Sequence, residues 1–447
     1  MNTNDNLDLA LRYDQVRSFT ELLASSLSPE DQGVQSMTEA SPTKWHRAHT
    51  SWFFDAFVLT PYLKGHTPLS SEYAYLFNSY YEAAGPQYPR SKRGLISRPG
   101  CEEVAHLRSA VDSSMAHLIT SGPAAEVAGL VELGLHHEQQ HQELLLMDIK
   151  HAFSLNPTYP AFHKTPTRHR QLSDQMRPLG WLSHEGGEVT IGTSGNEFHF
   201  DNEGPAHRVL LKPFELADRT ITCGEWLDFM NDGGYERPEL WLSDGWATVK
   251  NENLCSPLYW SCQMAPDEDL LARQPLHSNT AKWRTRRIGE TSPCDWTVFT
   301  LGGQKPLDPH EPVCHISLYE ADAYATWSNA RLPSECEWEA VAMQMPAEGA
   351  FLDLEVLQPL PQTRESVNCQ LFGDLWEWTS SAYAPYPGFR RSSGAIGEYN
   401  GKFMVNQYVL RGGSCVTPAR HLRATYRNFF PAASRWAFSG LRLARDR

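Results

Sequence analysis

A chain of 447 residues has room for two or more domains and a sizeable core. Its formal net charge of -14 argues against a nucleic-acid or anionic-membrane surface as main partner, and no apolar run approaches the roughly 20 residues that span a bilayer. The nine cysteines are scattered, odd in number and without a Cys-x-x-Cys pair, which reads as the reduced thiols of a cytoplasmic protein and not as a disulfide framework.

The N-terminal stretch is polar and acidic, unlike a secretory signal. An opening helix is expected over about Leu7 to Leu27. Ser41-Pro42 reads as an N-cap followed by proline at the first helical position. A second helix then runs from Trp45 to Leu59, until Pro61 stops it. Amphipathic patterns from about Glu103 to Ile119 and from about Ala124 to Phe153 complete four helices, enough for a bundle. Between the second and third lies a tyrosine-rich connection, residues 70–100, longer than the usual helix–helix loop; such loops more often serve function than decoration. Prolines and basic residues over 157–178 suggest a linker. The remainder is rich in Gly, Trp and short strand-like pieces, and only Leu318–Asn329 and Glu335–Met343 read as clearly helical. No fixed-period repeat is present.

The strongest local signal is the run from Gly134 to Glu143, GLHHEQQHQE. His137 and His141 are four apart and share one helix face, where two imidazoles take adjacent positions on one metal. His46 and His49 sit three apart on the upstream helix, and either could add a third nitrogen, as in metal sites built inside helical bundles. His137 to His141 also fits HExxH, the zinc-protease motif. That reading is disfavoured: such a protease takes its third ligand downstream and uses the glutamate as a base on metal-bound water, whereas here the better third ligand lies upstream. Residue types alone leave zinc, copper, iron and nickel open.

Several segments together resemble one family. SPTKWHRAHTSWFFDAFVL, LFNSYYEAAGPQYPR and LHHEQQHQELLLMDIKH resemble the DinB-like iron domain of ergothioneine-biosynthesis sulfoxide synthases. FDNEGPAHRV, GGYERPELWLSDGW, ARLPSECEWEAVA, LWEWTSS, VLRGGSC and FSGLRL resemble the formylglycine-generating-enzyme fold, a C-type-lectin-like variant. The resemblance implies an α+β multidomain protein: a DinB-like four-helix bundle over residues 1–165, then a formylglycine-generating-enzyme-like domain over 166–447.

It also implies chemistry. His49, His137 and His141 would hold Fe(II), with His46 and His136 as bystanders. Dioxygen is the co-substrate; hercynine, the betaine of histidine, and a thiol are the substrates. Sulfur is joined to the imidazole C2 and oxidised to the sulfoxide. Arg90 and Arg93 look like a clamp for the thiol's carboxylate. Asn428, Phe429 and Phe430 match the betaine-binding segment, where aromatic faces attract a trimethylammonium group. Gln140 fits an amide contact to the substrate imidazole. Tyr80 and Tyr81 are candidates for the group that supplies a proton or an electron to dioxygen. In the branch that takes γ-glutamylcysteine the segment carries an acid where Phe430 stands here, so free cysteine is the expected donor. Formylglycine-generating enzymes bind copper through two late cysteines, and Cys415 stands alone. An ovothiol-type synthase, which bonds sulfur to C5 of unmethylated histidine, commonly carries an added methyltransferase domain, and none is expected after Arg447. A metal-free binding module is the non-enzyme alternative. Oligomeric state is not legible.

Overall fold

The computed structural model describes residues 3–163, 178–263, 295–362, 369–393 and 395–447. Most of the expected linker therefore lies outside the described residues.

Four long helices form close to where apolar spacing places them: α1 (Thr3–Ser25), α2 (Thr43–Phe54), α3 (Cys101–Thr120) and α4 (Ala125–Ser154). The start of α2 differs from expectation. Pro42 is its N-cap, not its first residue, and Ser41 donates its backbone N–H to Asp148 Oδ2 at 2.7 Å. Beyond Phe54 the helix widens into a π turn, Asp55–Leu59, and ends with Thr60–Tyr62.

One face of α4 buries Val127, Val131, Leu135, Glu138, Gln142, Leu145 and Ile149, a helical spacing of three and four. The buried glutamate is explained by its partners. Arg17 of α1 donates to Glu138 Oε2 at 2.8 Å, Arg108 of α3 to Oε1 at 2.8 Å, and the Thr20 hydroxyl to Oε1 at 2.7 Å. Arg108 also donates to the Arg47 carbonyl at 2.9 Å, so this one ion group ties all four helices. Where α4 meets α2, Gly134 permits the close approach: a Cβ there would lie 2.4 Å from Phe54 Cε1.

The second part holds short sheets and helices α5 (Cys223–Asn231), α6 (Ser243–Glu252), α7 (Leu318–Trp327) and α8 (Glu335–Ala342). The last two coincide with the expected helices; α5 and α6 were not expected, although Thr222 and Glu225 form a capping box that marks the start of α5. One four-stranded sheet orders Asn428–Phe430, Tyr408–Arg411, Trp376–Ala382 and Ser439–Gly440 side by side. Its buried charges are paired: Arg442 with Glu377 at 2.7 Å, and Arg427 with Glu335 at 2.8 Å. The expectation of reduced thiols needs one correction: among the described residues Cys262 is disulfide-bonded and seven other cysteines are free. Among the described residues no helix is long and apolar enough to cross a membrane.

The two parts meet along α4. Glu143 is buried and accepts from Trp376 Nε1 at 2.6 Å, Thr417 Oγ1 at 2.7 Å and Ser414 Oγ at 3.1 Å. The tyrosine-rich loop is held from the same side: the N–H groups of Glu82 and Ala83 donate to the Glu398 carboxylate at 3.0 and 2.9 Å.

Burial alone would raise the pKa of Glu138, but Arg17 and Arg108 outweigh it and hold the carboxyl down to about 2. The stabilisation is therefore complete above the ordinary carboxyl value of about 4.3 and lost as pH falls through the folded value. Glu138→Ala leaves two guanidinium groups enclosed without their anion. It should cost about 3–5 kcal/mol in urea unfolding; a cost below about 1 kcal/mol, the range of an exposed pair, would show that the ion group does not hold the helices.

Candidate metal centre

Two helices carry the site. On α2, His46 and His49 are one turn apart; on α4, His137 and His141 are one turn apart, and the crossing at Gly134 turns the two faces together. One nitrogen from each of His49, His137 and His141 lies within 4.8 Å of the others, and no other such group of metal-ligating side chains exists among the described residues. The rings stand 4.6 to 5.0 Å apart.

The hydrogen bonds assign roles to the nitrogens. His49 donates Nδ1–H to the Phe77 carbonyl at 2.6 Å, so its Nε2 carries the lone pair. That Nε2 lies 3.2 Å from His137 Nε2, while His137 Nδ1 is buried without a hydrogen-bond partner. At metal–nitrogen bonds of about 2.0–2.1 Å, two ligands on one ion stand about 2.9 Å apart at a right angle and about 3.4 Å apart at the tetrahedral angle, so the pair fits one ion. Burial, reinforced by the neighbouring imidazoles, lowers the pKa of His49 and His141 well below the usual value. Burial takes His137 down to about 3. All three are therefore neutral near pH 7, the form that binds a metal.

The HExxH alternative ends here. Glu138 points into the helical core toward Arg17 and Arg108, away from the three histidines, and cannot serve as a base at the metal.

His46 is outside the converging group but touches it. Its Nδ1 meets His141 Nδ1 at 2.8 Å and its Nε2 meets Asp148 Oδ2 at 3.1 Å, so it supports a member of the triad. His136 does stand apart: it stacks on Phe198 and meets His421 Nδ1 at 2.9 Å.

The remaining candidate residues fall into two groups. Tyr80 and Tyr81 stack on each other 4.5 Å apart, and the Tyr80 hydroxyl approaches that of Tyr81 at 3.4 Å. Tyr81 packs against Trp52 and Phe53, and Phe53 packs on His137 at 4.5 Å, so the pair borders the histidines. Burial pushes Tyr80 up to about 12 and Tyr81 well above its usual value, keeping both phenols protonated. Gln140 donates Nε2–H to Tyr426 OH at 2.6 Å, and its Oε1 accepts from the Tyr399 hydroxyl. The Tyr399 ring lies 5.7 Å from that of His137. Arg93 is buried, lies 3.4 Å above the Trp45 ring and donates to Ser41 Oγ at 2.9 Å; Trp45 in turn stacks on His49. Its Nε has no partner. Arg90 is exposed and donates to the Glu39 carbonyl.

The C-terminal residues divide. Asn428, Phe429 and Phe430 form a strand, and successive strand residues face opposite ways. Phe429 stacks on Tyr383 at 4.1 Å and on Phe403 at 5.9 Å, and Phe403 meets Tyr80 at 5.0 Å; through that ring Phe429 joins the tyrosine pair. Phe430 packs on Trp436 instead, and Asn428 Oδ1 accepts the Phe429 N–H at 2.9 Å. Sequence reading missed Asp148, Tyr399, His421 and Tyr426. Only Asp148 carried a usable signal, lying two helical turns beyond His141.

Residues 170–352 and 360–447 match the sulfatase-modifying factor enzyme 1-like domain. A protein named hercynine oxygenase from Mycobacterium tuberculosis is 29% identical over 365 residues, covering 76% of each chain. A hercynine oxygenase of Mycolicibacterium thermoresistibile is 32% identical over 283 residues, 57% of this chain and 56% of that protein. Ergothioneine biosynthesis protein 1 of Schizosaccharomyces pombe is 26% identical over 260 residues, 56% of this chain and 28% of that protein. With its match spanning more than half the sequence, the chain belongs to the sulfatase-modifying factor enzyme 1-like family.

Proposed function

We propose that this chain is a cytoplasmic, iron(II)- and dioxygen-dependent sulfoxide synthase of ergothioneine biosynthesis, joining the sulfur of cysteine to C2 of the hercynine imidazole and oxidising that sulfur. The observation that carries the reading is the convergence of His49, His137 and His141 in a chain related to proteins named hercynine oxygenase. In this reading residues 1–165 are a DinB-like iron domain, 166–447 have the formylglycine-generating-enzyme-like fold, and the active site lies between them. The hydrogen bonds of Gln140 with Tyr399 and Tyr426 support that placement.

The overall change balances as C2–H plus S–H plus O2 giving C2–S(=O) plus water. Iron held by the three imidazoles would supply the redox chemistry with dioxygen and lower the pKa of a coordinated thiol. The protein's residues do the rest. Arg93 is a buried guanidinium with no salt-bridge partner among the described residues, and a carboxylate from the amino-acid thiol would satisfy it. Phe403 and Phe429 are only part-buried and would offer aromatic surface to a trimethylammonium group, an attraction of about 0.5–2 kcal/mol, with Tyr383 backing Phe429. Gln140, its amide oriented by Tyr399 and Tyr426, keeps one N–H and one lone pair for the imidazole. Two protons must reach one oxygen atom to make water, and Tyr81, whose proton is retained by burial, would pass one on.

The sulfur donor is argued from charge. The extra ammonium of γ-glutamylcysteine needs an anion if it is enclosed. Phe430 offers none, and Asp55 and Glu82 are engaged elsewhere: Asp55 accepts from His66 at 2.6 Å, and Glu82 from Gln87 at 2.7 Å.

Four measurements test the reading. Anaerobic loading with Fe(II), then air with hercynine and cysteine, should give the sulfoxide by mass spectrometry. His141→Ala should lose both stoichiometric iron and product, and full iron retention would remove His141 from the site. Unmethylated histidine should react with at least about tenfold lower kcat/KM if cation–π binding is worth 1.4 kcal/mol or more; equal use of both would favour the ovothiol-type reaction. With both thiols at equal concentration, cysteine should outcompete γ-glutamylcysteine. Preference for the dipeptide would overturn the donor while leaving the iron site intact.

A further inference from the structure

His46 and Asp148 form a buried chain behind one of the three converging histidines. Asp148 Oδ2 accepts the Ser41 N–H at 2.7 Å and faces His46 Nε2 at 3.1 Å. His46 Nδ1 faces His141 Nδ1 at 2.8 Å. His46 and Asp148 are both nearly fully buried, so no bulk water competes for these bonds.

With both imidazoles neutral, the chain has one consistent set of proton positions. A carboxylate can only accept, so His46 carries its proton on Nε2. Its Nδ1 is then a lone pair and can only accept. His141 must therefore carry its proton on Nδ1, which leaves its Nε2 lone pair free. The opposite assignment would set the Nε2 lone pair of His46 against the carboxylate and take the proton off His141 Nδ1. A carboxylate behind a metal-bound imidazole is a common support; here a second imidazole is interposed between them. His49 receives the matching instruction from a different source, the Phe77 carbonyl. His137 Nδ1 has no such partner, so one ligand of the three is left without a fixed tautomer.

We infer that Asp148 and His46 are positioning residues that act through each other: the carboxylate fixes the His46 tautomer, which fixes His141 with Nε2 toward the metal and raises its strength as a ligand. The inference rests on the metal centre argued above, but not on the identity of the substrates. The Ser41 N–H shows how the chain is anchored, since it holds the carboxylate at the entry to α2, one turn before His46.

The test measures Co(II) and Fe(II) dissociation constants of the full-length protein under anaerobic conditions by chelator competition. Visible spectra of the Co(II) form are recorded, and thermal unfolding of the metal-free protein checks folding. Asp148→Asn keeps the shape but weakens the acceptor; it should raise the dissociation constant about tenfold and shift the Co(II) bands. His46→Phe should raise it by about 10- to 100-fold, the usual range for such supports. Because both act along one chain, the double variant should bind about as weakly as His46→Phe alone. Wild-type affinity and spectrum in Asp148→Asn and His46→Phe would overturn the inference, as would losses that multiply. If the wild-type protein bound neither metal, the metal centre itself would fall and the inference with it. Metal binding without sulfoxide formation would overturn only the proposed reaction. Should His46→Phe unfold the metal-free protein, Asp148→Asn and His46→Gln decide: His46→Gln, which cannot both accept from His141 Nδ1 and donate to Asp148 with ring geometry, should also lose at least about tenfold, and wild-type binding there would overturn the inference.

Discussion

The crossing of α2 and α4 is the constraint on which the rest depends. Each helix carries two histidines one turn apart, and they become a site only if the helices approach closely at one height. Gly134 allows the approach by leaving room for Phe54. The buried Glu138, gripped by Arg17 and Arg108, fixes it from the other side of α4. The same stretch of helix thus points one residue into a structural ion group and its neighbour, His137, into the converging histidine triad. That division explains why an HExxH spelling here does not make a protease.

The second part of the chain completes the site. Glu143 anchors α4 to Trp376, Ser414 and Thr417, while Glu398 anchors the tyrosine-rich loop. Gln140, one residue before His141, is held by two tyrosines from beyond residue 398. The histidine helices supply convergent nitrogens, and the family domain supplies orientation and aromatic surface. A buried arginine with no salt-bridge partner among the described residues, phenols kept protonated by burial, and part-buried rings are separate features that the proposed reaction would use for an amino-acid carboxylate, a proton to be passed, and a quaternary ammonium.

Much of the helical part was legible because its information is local. Helix spans follow from apolar spacing, and the histidine pairs from i,i+3 and i,i+4 geometry. What was missed is long-range or depends on direction. The role of His46 needs Asp148, which lies 102 residues away and meets it only because the helices cross. Tyr399, His421 and Tyr426 come from loops with no period. Phe429 and Phe430 are adjacent in sequence, but the strand that contains them sends their rings to opposite faces. The capping box of α5 was readable from Thr222 and Glu225, yet the helix is short and rich in aromatic residues, so its apolar period is weak.

The central claim is that three imidazoles share one iron ion. X-ray absorption at the iron edge of the anaerobically loaded, substrate-free protein tests it directly. The account predicts one bound iron whose multiple scattering fits three imidazole rings, with nitrogen distances of about 2.0–2.2 Å, by analogy with other imidazole–metal sites. A first shell of oxygen alone, or one imidazole or none, would contradict it.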